Sequence, residues 1–264
     1  MEFVDSHTHI YTEDFDQDIE QVIERAKEGG ARALLLPNIN EESIERIVRL
    51  CEKWPQLCFP MMGLHPTDVT KDFGVLLQKM EQKLGEPNHP FVAVGEIGID
   101  LYWDTSMQKE QTEAFKTQIE WGIKYDLPLV IHSRNAHREI VEILSPFAER
   151  LKSGIFHCFS GTKDEAEELL SKFPGFYLGV GGTLTFKKSE LPNVLKTVVP
   201  IDRVVIETDA PYLAPVPYRG KRNEPIYLLS VLEKLAEIYE VPVEDIARIT
   251  TRNAYSVFPG IRKV

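Results

Sequence analysis

Phe3-Val-Asp-Ser-His-Thr-His-Ile10, written FVDSHTHI, opens the chain with an apolar run that ends in two histidines one residue apart. In a β-strand successive side chains point to opposite faces, so His7 and His9 would share one face while Ser6 and Thr8 take the other. Two imidazoles on one face can share a ligand. For an isolated H-x-H, hydrogen bonding within a loop is the commoner explanation, and the rest of the chain decides between the two.

Working outward, the same kind of run recurs: ARALLLPN, LCFPMMGLH, FVAVGEIG, LPLVIHS, SGIFHCFS, FYLGVGG and RVVIETD. Amphipathic stretches with helical spacing alternate with them: 16–28, 41–53, 74–84, 108–125, 136–151, 163–172, 190–199 and 225–239. Repeated strand–helix units read as an α/β fold with a parallel sheet. Eight strand-like runs with intervening helices match the count and the roughly 250-residue length of a TIM (β/α)8 barrel; an open doubly wound sheet is the alternative. A last helix over 242–258 would pack on the outside. With no Ser/Gly-rich linker, low-complexity tract or internal repeat, residues 1–264 are expected to form one domain.

The 264 residues are 43% hydrophobic and 27% charged, a soluble globular composition that allows a large core. No signal peptide is recognisable and no apolar run approaches the ~20 residues of a membrane span, so a cytoplasmic protein without membrane contact is expected. The three cysteines, Cys51, Cys58 and Cys158, form no C-x-x-C pair and suit reduced thiols. Cys158 is read as buried packing, since strand alternation turns it away from His157. Thirty Lys+Arg against 41 Asp+Glu give a net charge of −11, which argues against a broad surface for polyanions. A nucleic-acid role would rest on a local site, supplied by bound cations and a few placed basic groups.

Aligned by their ends, the runs place polar residues at or just past the C-terminal end: His7, His9, His65, Glu96, His132, His157 and Asp209. A barrel gathers those ends on the rim where its active sites lie. Each residue alone has an ordinary structural explanation. Five histidines and two carboxylates on one rim are harder to explain, because buried polar groups without partners cost free energy. A metal is the economical partner. Imidazoles and carboxylates without thiolates fit Zn, Mn, Co or Fe, and carboxylates lean toward Mg or Mn. One ion needs three or four protein ligands; the rim offers more, which points to two, with Glu96 as the natural bridge. His89, in a Pro-flanked loop, and His137, at a helix start, are read as structural.

These stretches, DSHTH (5–9), GLHP (63–66), VGEIGID (94–100), IHSR (131–134), FHCFSG (156–161), ETDAPYLAP (207–215) and RGKRNEP (219–225), together resemble the TatD family of metal-dependent deoxyribonucleases, within the wider amidohydrolase-like barrels. The ordered set runs nearly the whole chain. The resemblance implies a TIM-type barrel with two divalent cations (Mg, Mn or Zn), one held by His7, His9, Glu96 and Asp209, the other by Glu96, His132 and His157. His65 would sit at the substrate end. It further implies hydrolysis of DNA phosphodiesters, from single strands or 3′ ends in the 3′-to-5′ direction, with RNA as a further substrate. Leu101-Tyr102-Trp103 departs from the paired aromatics that often follow the aspartate in this family.

Such a site suits the chemistry, because two cations can polarise a phosphoryl oxygen and acidify a water. Asp209 would act as general base with Glu96 as the other catalytic carboxylate, and Glu207, one step deeper, would support from behind. Arg134 is the first candidate phosphate contact and Arg222, in a basic loop with Arg219 and Lys221, the next; for that loop a solvated charge cluster is an equal reading. Tyr102, Trp103 and Tyr212 can stack on unpaired bases or simply pack. The rival enzyme class is hydrolysis of amides or esters, including the aminoacyl ester of transfer RNA. A metal-stabilised binding module without turnover is the third reading. A monomer is compatible with the sequence.

Overall fold

A computed structural model describes residues 1–262; the last two positions of the expected 1–264 domain lie outside the described residues. Among the described residues eight strands alternate with helices as the sequence pattern predicts: β1 Phe3–Asp5, β2 Ala31–Leu36, β3 Cys58–Pro60, β4 Val94–Asp100, β5 Leu129–Arg134, β6 Gly154–Phe156, β7 Phe176–Val180 and β8 Val204–Ile206. Around them run α1 Ile19–Glu28, α2 Glu41–Lys53, α3 Phe73–Leu84, α4 Gln108–Tyr125, α5 His137–Leu144, α6 Lys163–Lys172, α7 Leu191–Val198, α8 Leu228–Tyr239 and α9 Val243–Val257.

All ladders are parallel and join neighbours in sequence, β1-β2-β3 and β4 through β8. Backbone hydrogen bonds cross both seams. Met62 pairs with Val94 between β3 and β4. The Ser6 N–H donates to the Ile206 carbonyl (3.0 Å), and the Asp209 N–H to that of His7 (2.9 Å), between β8 and β1. The architecture is the α/β TIM-type barrel. Its interior is lined by Val4, Ala33, Leu35, Met61, Val130, Ile155 and Val205, against which Ala254, Val257 and Phe258 of α9 and its end pack. A larger apolar layer lies between strands and helices. The ninth helix therefore packs against the inner cluster and is more than an outer addition.

Local chemistry sets the helix ends. Asn40 and Ser43 form a capping box at α2, and Thr162 and Glu165 another at α6. The stretch 136–151 does not run as one helix. It ends at Leu144 and continues as a 3-10 segment, Ser145–Arg150, where Pro146 offers no backbone N–H to an α-helical ladder. A 3-10 turn likewise precedes α8 at Pro225–Tyr227, and 16–28 becomes helical only at Ile19. Among the described residues no helix is long and apolar enough to cross a membrane.

Candidate metal centre

Glu96 and His132 lie within β4 and β5, whereas His7, His9, His65, His157 and Asp209 stand in the turns after their strands. In β4, Ile97 and Ile99 pack outward under the helices, so Glu96, Gly98 and Asp100 face the other way. Gly98 pairs with His132 at φ +144°, and a Cβ there would lie 1.9 Å from the His132 carbonyl oxygen. Only glycine lets the two strands approach at that level.

The first strand stops at Asp5, so its pleat does not align His7 with His9 as the strand reading expects. The Thr8 N–H instead donates to the Leu35 carbonyl and that of His9 to Ala210, and the bent segment brings the two Nε2 atoms to 3.1 Å. Asp5 ties this segment to the last strand. Its carboxylate accepts from the Thr208 N–H (2.9 Å) and hydroxyl (2.6 Å), and burial pushes its pKa up to about 8. Asn223, from the RGKRNEP loop, donates to the carbonyls of Thr208 and Tyr212 and so braces the turn carrying Asp209.

Glu96 is the hub. Its Oε2 lies 3.2 Å from His7 Nε2 and 3.6 Å from His9 Nε2, while Asp209 Oδ1 lies 3.8 and 3.4 Å from the same two nitrogens. Four ligands at 2.0–2.1 Å from a tetrahedral ion stand about 3.3–3.4 Å from one another. These separations scatter around that edge length, so His7, His9, Glu96 and Asp209 fit a divalent cation.

The other oxygen, Oε1, faces a second group: His132 Nδ1 at 2.9 Å and His65 Nε2 at 3.4 Å, themselves 3.3 Å apart. His65 thus joins the cluster directly, with its Nδ1 2.7 Å from the Thr67 hydroxyl. His157 Nε2 is 3.8 Å from both Glu96 Oε1 and Asp209 Oδ1, and its ring stacks on His7 at 3.4 Å. It stands between the two groups.

The electrostatics follow from that crowding. Burial opposes ionisation of Glu96, yet the imidazoles of His65, His7 and His157 hold its pKa well below the carboxylate range. Asp209 is lowered too, burial being outweighed by its hydrogen bond with His9 and the charges of His157, His9 and His7. His7 falls to about 4 through burial and repulsion from His157. Burial lowers His157 as well, but the charges of Glu207 and Glu96 outweigh it and raise its pKa to about 10. Anions and imidazoles at these spacings leave lone pairs converging on common points, the situation a cation resolves.

Behind the cluster, supporting groups fix the rings. Glu207 Oε1 lies 2.9 Å from His157 Nδ1 and accepts from the Cys158 N–H; its carboxylate sits so close to Gly179 that a Cβ there would meet Oε2 at 2.3 Å. Asp100 Oδ2 lies 2.9 Å from His132 Nε2, leaving Nδ1 for Glu96 and the metal side. The Tyr11 hydroxyl contacts His9 Nδ1. Neither Asp100 nor Tyr11 was singled out from sequence. Asp100 was legible, two pleats on from Glu96 on one strand face; Tyr11 carried no signal.

The remaining candidates are dispersed. Arg134 lays its guanidinium 3.8 Å over the Tyr102 ring and 5.3 Å over Trp103. Arg222 is engaged elsewhere, bidentate on Asp18 (2.8 and 2.6 Å) and 4.3 Å over Phe15. Cys158 is half-buried rather than buried, its thiol pushed well above the usual range by burial and the charges of Asp209 and Glu207. Cys51 and Cys58 are buried free thiols. His89 rests beside Phe91, and His137 pairs with Glu168 at the start of α5.

Residues 4–259 match the family model described as TatD related DNase. The chain is 37% identical over 257 residues to a protein of Bacillus subtilis (strain 168) called uncharacterized metal-dependent hydrolase YabD, covering 96% of this chain and 98% of that protein. It is 30% identical over 259 residues to the 3′-5′ ssDNA/RNA exonuclease TatD of Pectobacterium parmentieri, covering 96% and 98%. The crystal structure of YjjV, a TatD homologue from Escherichia coli K12, superposes with a TM-score of 0.90 at 31% identity over 97% of this chain and 98% of that one.

Proposed function

The chain belongs to the TatD-related DNase family of metal-dependent hydrolases acting on ester bonds, and from that premise we propose that it removes nucleotides from the 3′ ends of single-stranded DNA, and of RNA, using two divalent cations of the Mg, Mn or Zn class. One observation carries the reading. The two oxygens of Glu96 face two separate sets of ligating atoms, His7, His9 and Asp209 on one side and His65 and His132 on the other. His157 stands where it can serve either.

When bound, paired cations supply positive charge to a phosphoryl oxygen and make a nearby water more acidic. The chain's own residues do the rest. Asp209, whose depressed pKa keeps it ionised, accepts the proton of the attacking water as general base. Glu96 stays anionic and holds the two ligand sets at a fixed separation. Arg134, held on its aromatic support, takes the phosphate that follows the scissile bond. Residues 1–264 act in this reading as one barrel unit.

The test is time-resolved digestion of 5′-labelled single-stranded DNA by metal-stripped protein with Mg²⁺ or Mn²⁺ restored, beside Asp209→Asn. The expected result is a ladder shortening from the 3′ end that the variant does not produce. Failure with every cation, together with hydrolysis of an aminoacyl ester by the same protein, would replace this reading with the carbonyl-hydrolase one.

A further inference from the structure

Large apolar side chains are exposed at few places among the described residues: Met1, Val75, Tyr102, Trp103, Tyr212 and Val216. The three aromatic rings among them all follow barrel strands at the metal-bearing end. Tyr102 and Trp103 come just after β4, and the Tyr102 N–H donates to Asp100 Oδ1 (2.9 Å), the carboxylate that holds His132. Tyr212 comes after β8, its ring 6.4 Å from that of His9 and its N–H donating to the Asp209 carbonyl (2.8 Å). The aromatic groups therefore flank the cluster on its His132 side and its His9 side. Trp103, 71% exposed, meets Tyr102 edge-on at 4.8 Å, which leaves ring surface open to solvent.

Several arginines near this rim are already engaged by protein groups. Arg222 is held by Asp18, Arg25 by Glu224, and Arg219 lies over Phe186 at 3.8 Å. Arg134 lies over the rings of Tyr102 and Trp103. With a net charge of −11 on the whole chain, long-range attraction cannot gather a nucleic acid.

We infer that Trp103 and Tyr102, with Arg134 beneath them, form a subsite for unpaired nucleobases, so that the single-stranded substrate is selected by stacking beside the metal centre and not by its backbone charge. The inference rests on the nucleic-acid reading above and names the side chains that make it selective. Within a duplex the bases pair and stack on one another, so only a single strand offers successive base faces to aromatic rings.

The test uses the full-length, metal-loaded protein and a hexathymidylate with phosphorothioate linkages, which resist hydrolysis, against the same backbone carrying abasic sugars. Binding is followed by tryptophan emission and by anisotropy of an end label. The expected result is tighter binding of the base-bearing hexamer by roughly 5- to 150-fold, the range that one base–aromatic stack spans. Trp103→Leu should bring the two hexamers to equal affinity, and Trp103→Phe should keep most of the difference. Equal affinities in the wild type, an undiminished difference in Trp103→Leu, or equal binding of a blunt duplex would each overturn the inference. Digestion of ordinary phosphodiester versions separates the two readings. Cleavage at equal rates with and without 3′ bases would leave the nuclease standing and remove the subsite, whereas base-selective binding without cleavage would do the reverse.

Discussion

The Tyr11 hydroxyl lies 2.7 Å from His9 Nδ1 and donates its single proton to the Pro37 carbonyl, also at 2.7 Å. Its oxygen can therefore only accept from the imidazole, so Nδ1 donates to Tyr11 and Nε2, beside Glu96 and Asp209, is the ring atom left to ligate a cation. Tyr11 is buried, and its own pKa is raised well above the usual phenol value by burial and the charges of Glu96, Tyr212 and Asp209, so the proton stays in place.

Removing that oxygen should loosen the metal without unfolding the barrel. Tyr11→Phe keeps the ring and deletes the one group that fixes the His9 tautomer; losses of about 10- to 100-fold in metal affinity or activity are usual for such supporting partners. Competition titration with a chelating dye, alongside circular dichroism, checks it. Unaltered affinity in a folded variant would mean that His9 is oriented by its backbone alone.

Asp100 plays the equivalent part for His132, and its effect should be confined to the second ligand set. Its carboxylate pKa is held down, against burial, by the hydrogen bond with His132 and the Tyr102 N–H. Asp100→Asn should weaken the cation beside His65 and His132 while the one beside His7 and His9 stays bound. Equilibrium dialysis followed by elemental analysis reads this as a fractional loss of metal, and complete loss would show that the two sets are one site.

How far the sequence carried these assignments depends on the range of the interactions concerned. Helices α2, α4 and α6 run over the residues their periodicity predicts, because capping and amphipathic spacing are local. The convergence of His7, His9, His132, His157, Glu96 and Asp209 was readable from their common place at strand ends. What stayed hidden was longer in range or irregular in backbone. The strand carrying FVDSHTHI stops at Asp5, and Tyr11 meets Pro37 across 26 residues. Arg222 looked free in a basic loop until Asp18, 204 residues away, appeared beside it.

That partner changes what Arg222 should do. Its ion pair is about one-third exposed, and such pairs contribute about 0.2–1 kcal/mol, with the stacking on Phe15 adding a comparable amount. Arg222→Ala should lower the melting temperature by roughly 2–5 °C and leave kcat/KM on single-stranded DNA within about threefold of wild type. A large rise in KM with an unchanged melting temperature would return Arg222 to the substrate-binding set.

Metal removal should be visible in stability as well as in rate. A cation present at 100 times its dissociation constant adds about 2.7 kcal/mol to the folded state, which in a protein of this size is roughly 5–10 °C of melting temperature for each site filled. Chelation should lower the transition by that order, and Mn²⁺ should restore it. A transition indifferent to chelator and cation would mean that the cluster does not hold metal.

Glu96→Gln provides the sharpest test of two cations sharing one carboxylate. Glutamine has nearly the same shape but offers one acceptor oxygen, and its NH2 end would point hydrogens at one of the two sets. If Oε1 and Oε2 serve separate cations, this substitution should strip or weaken both, whereas His65→Ala should affect only the cation shared with His132. Metal per folded chain, measured across a titration for wild type and both variants, separates the cases. Two cations in wild type, one in His65→Ala and none in Glu96→Gln is the expected series. A single cation in wild type, lost alike in both variants, would reduce the centre to one ion and leave His65 or His157 free to touch substrate.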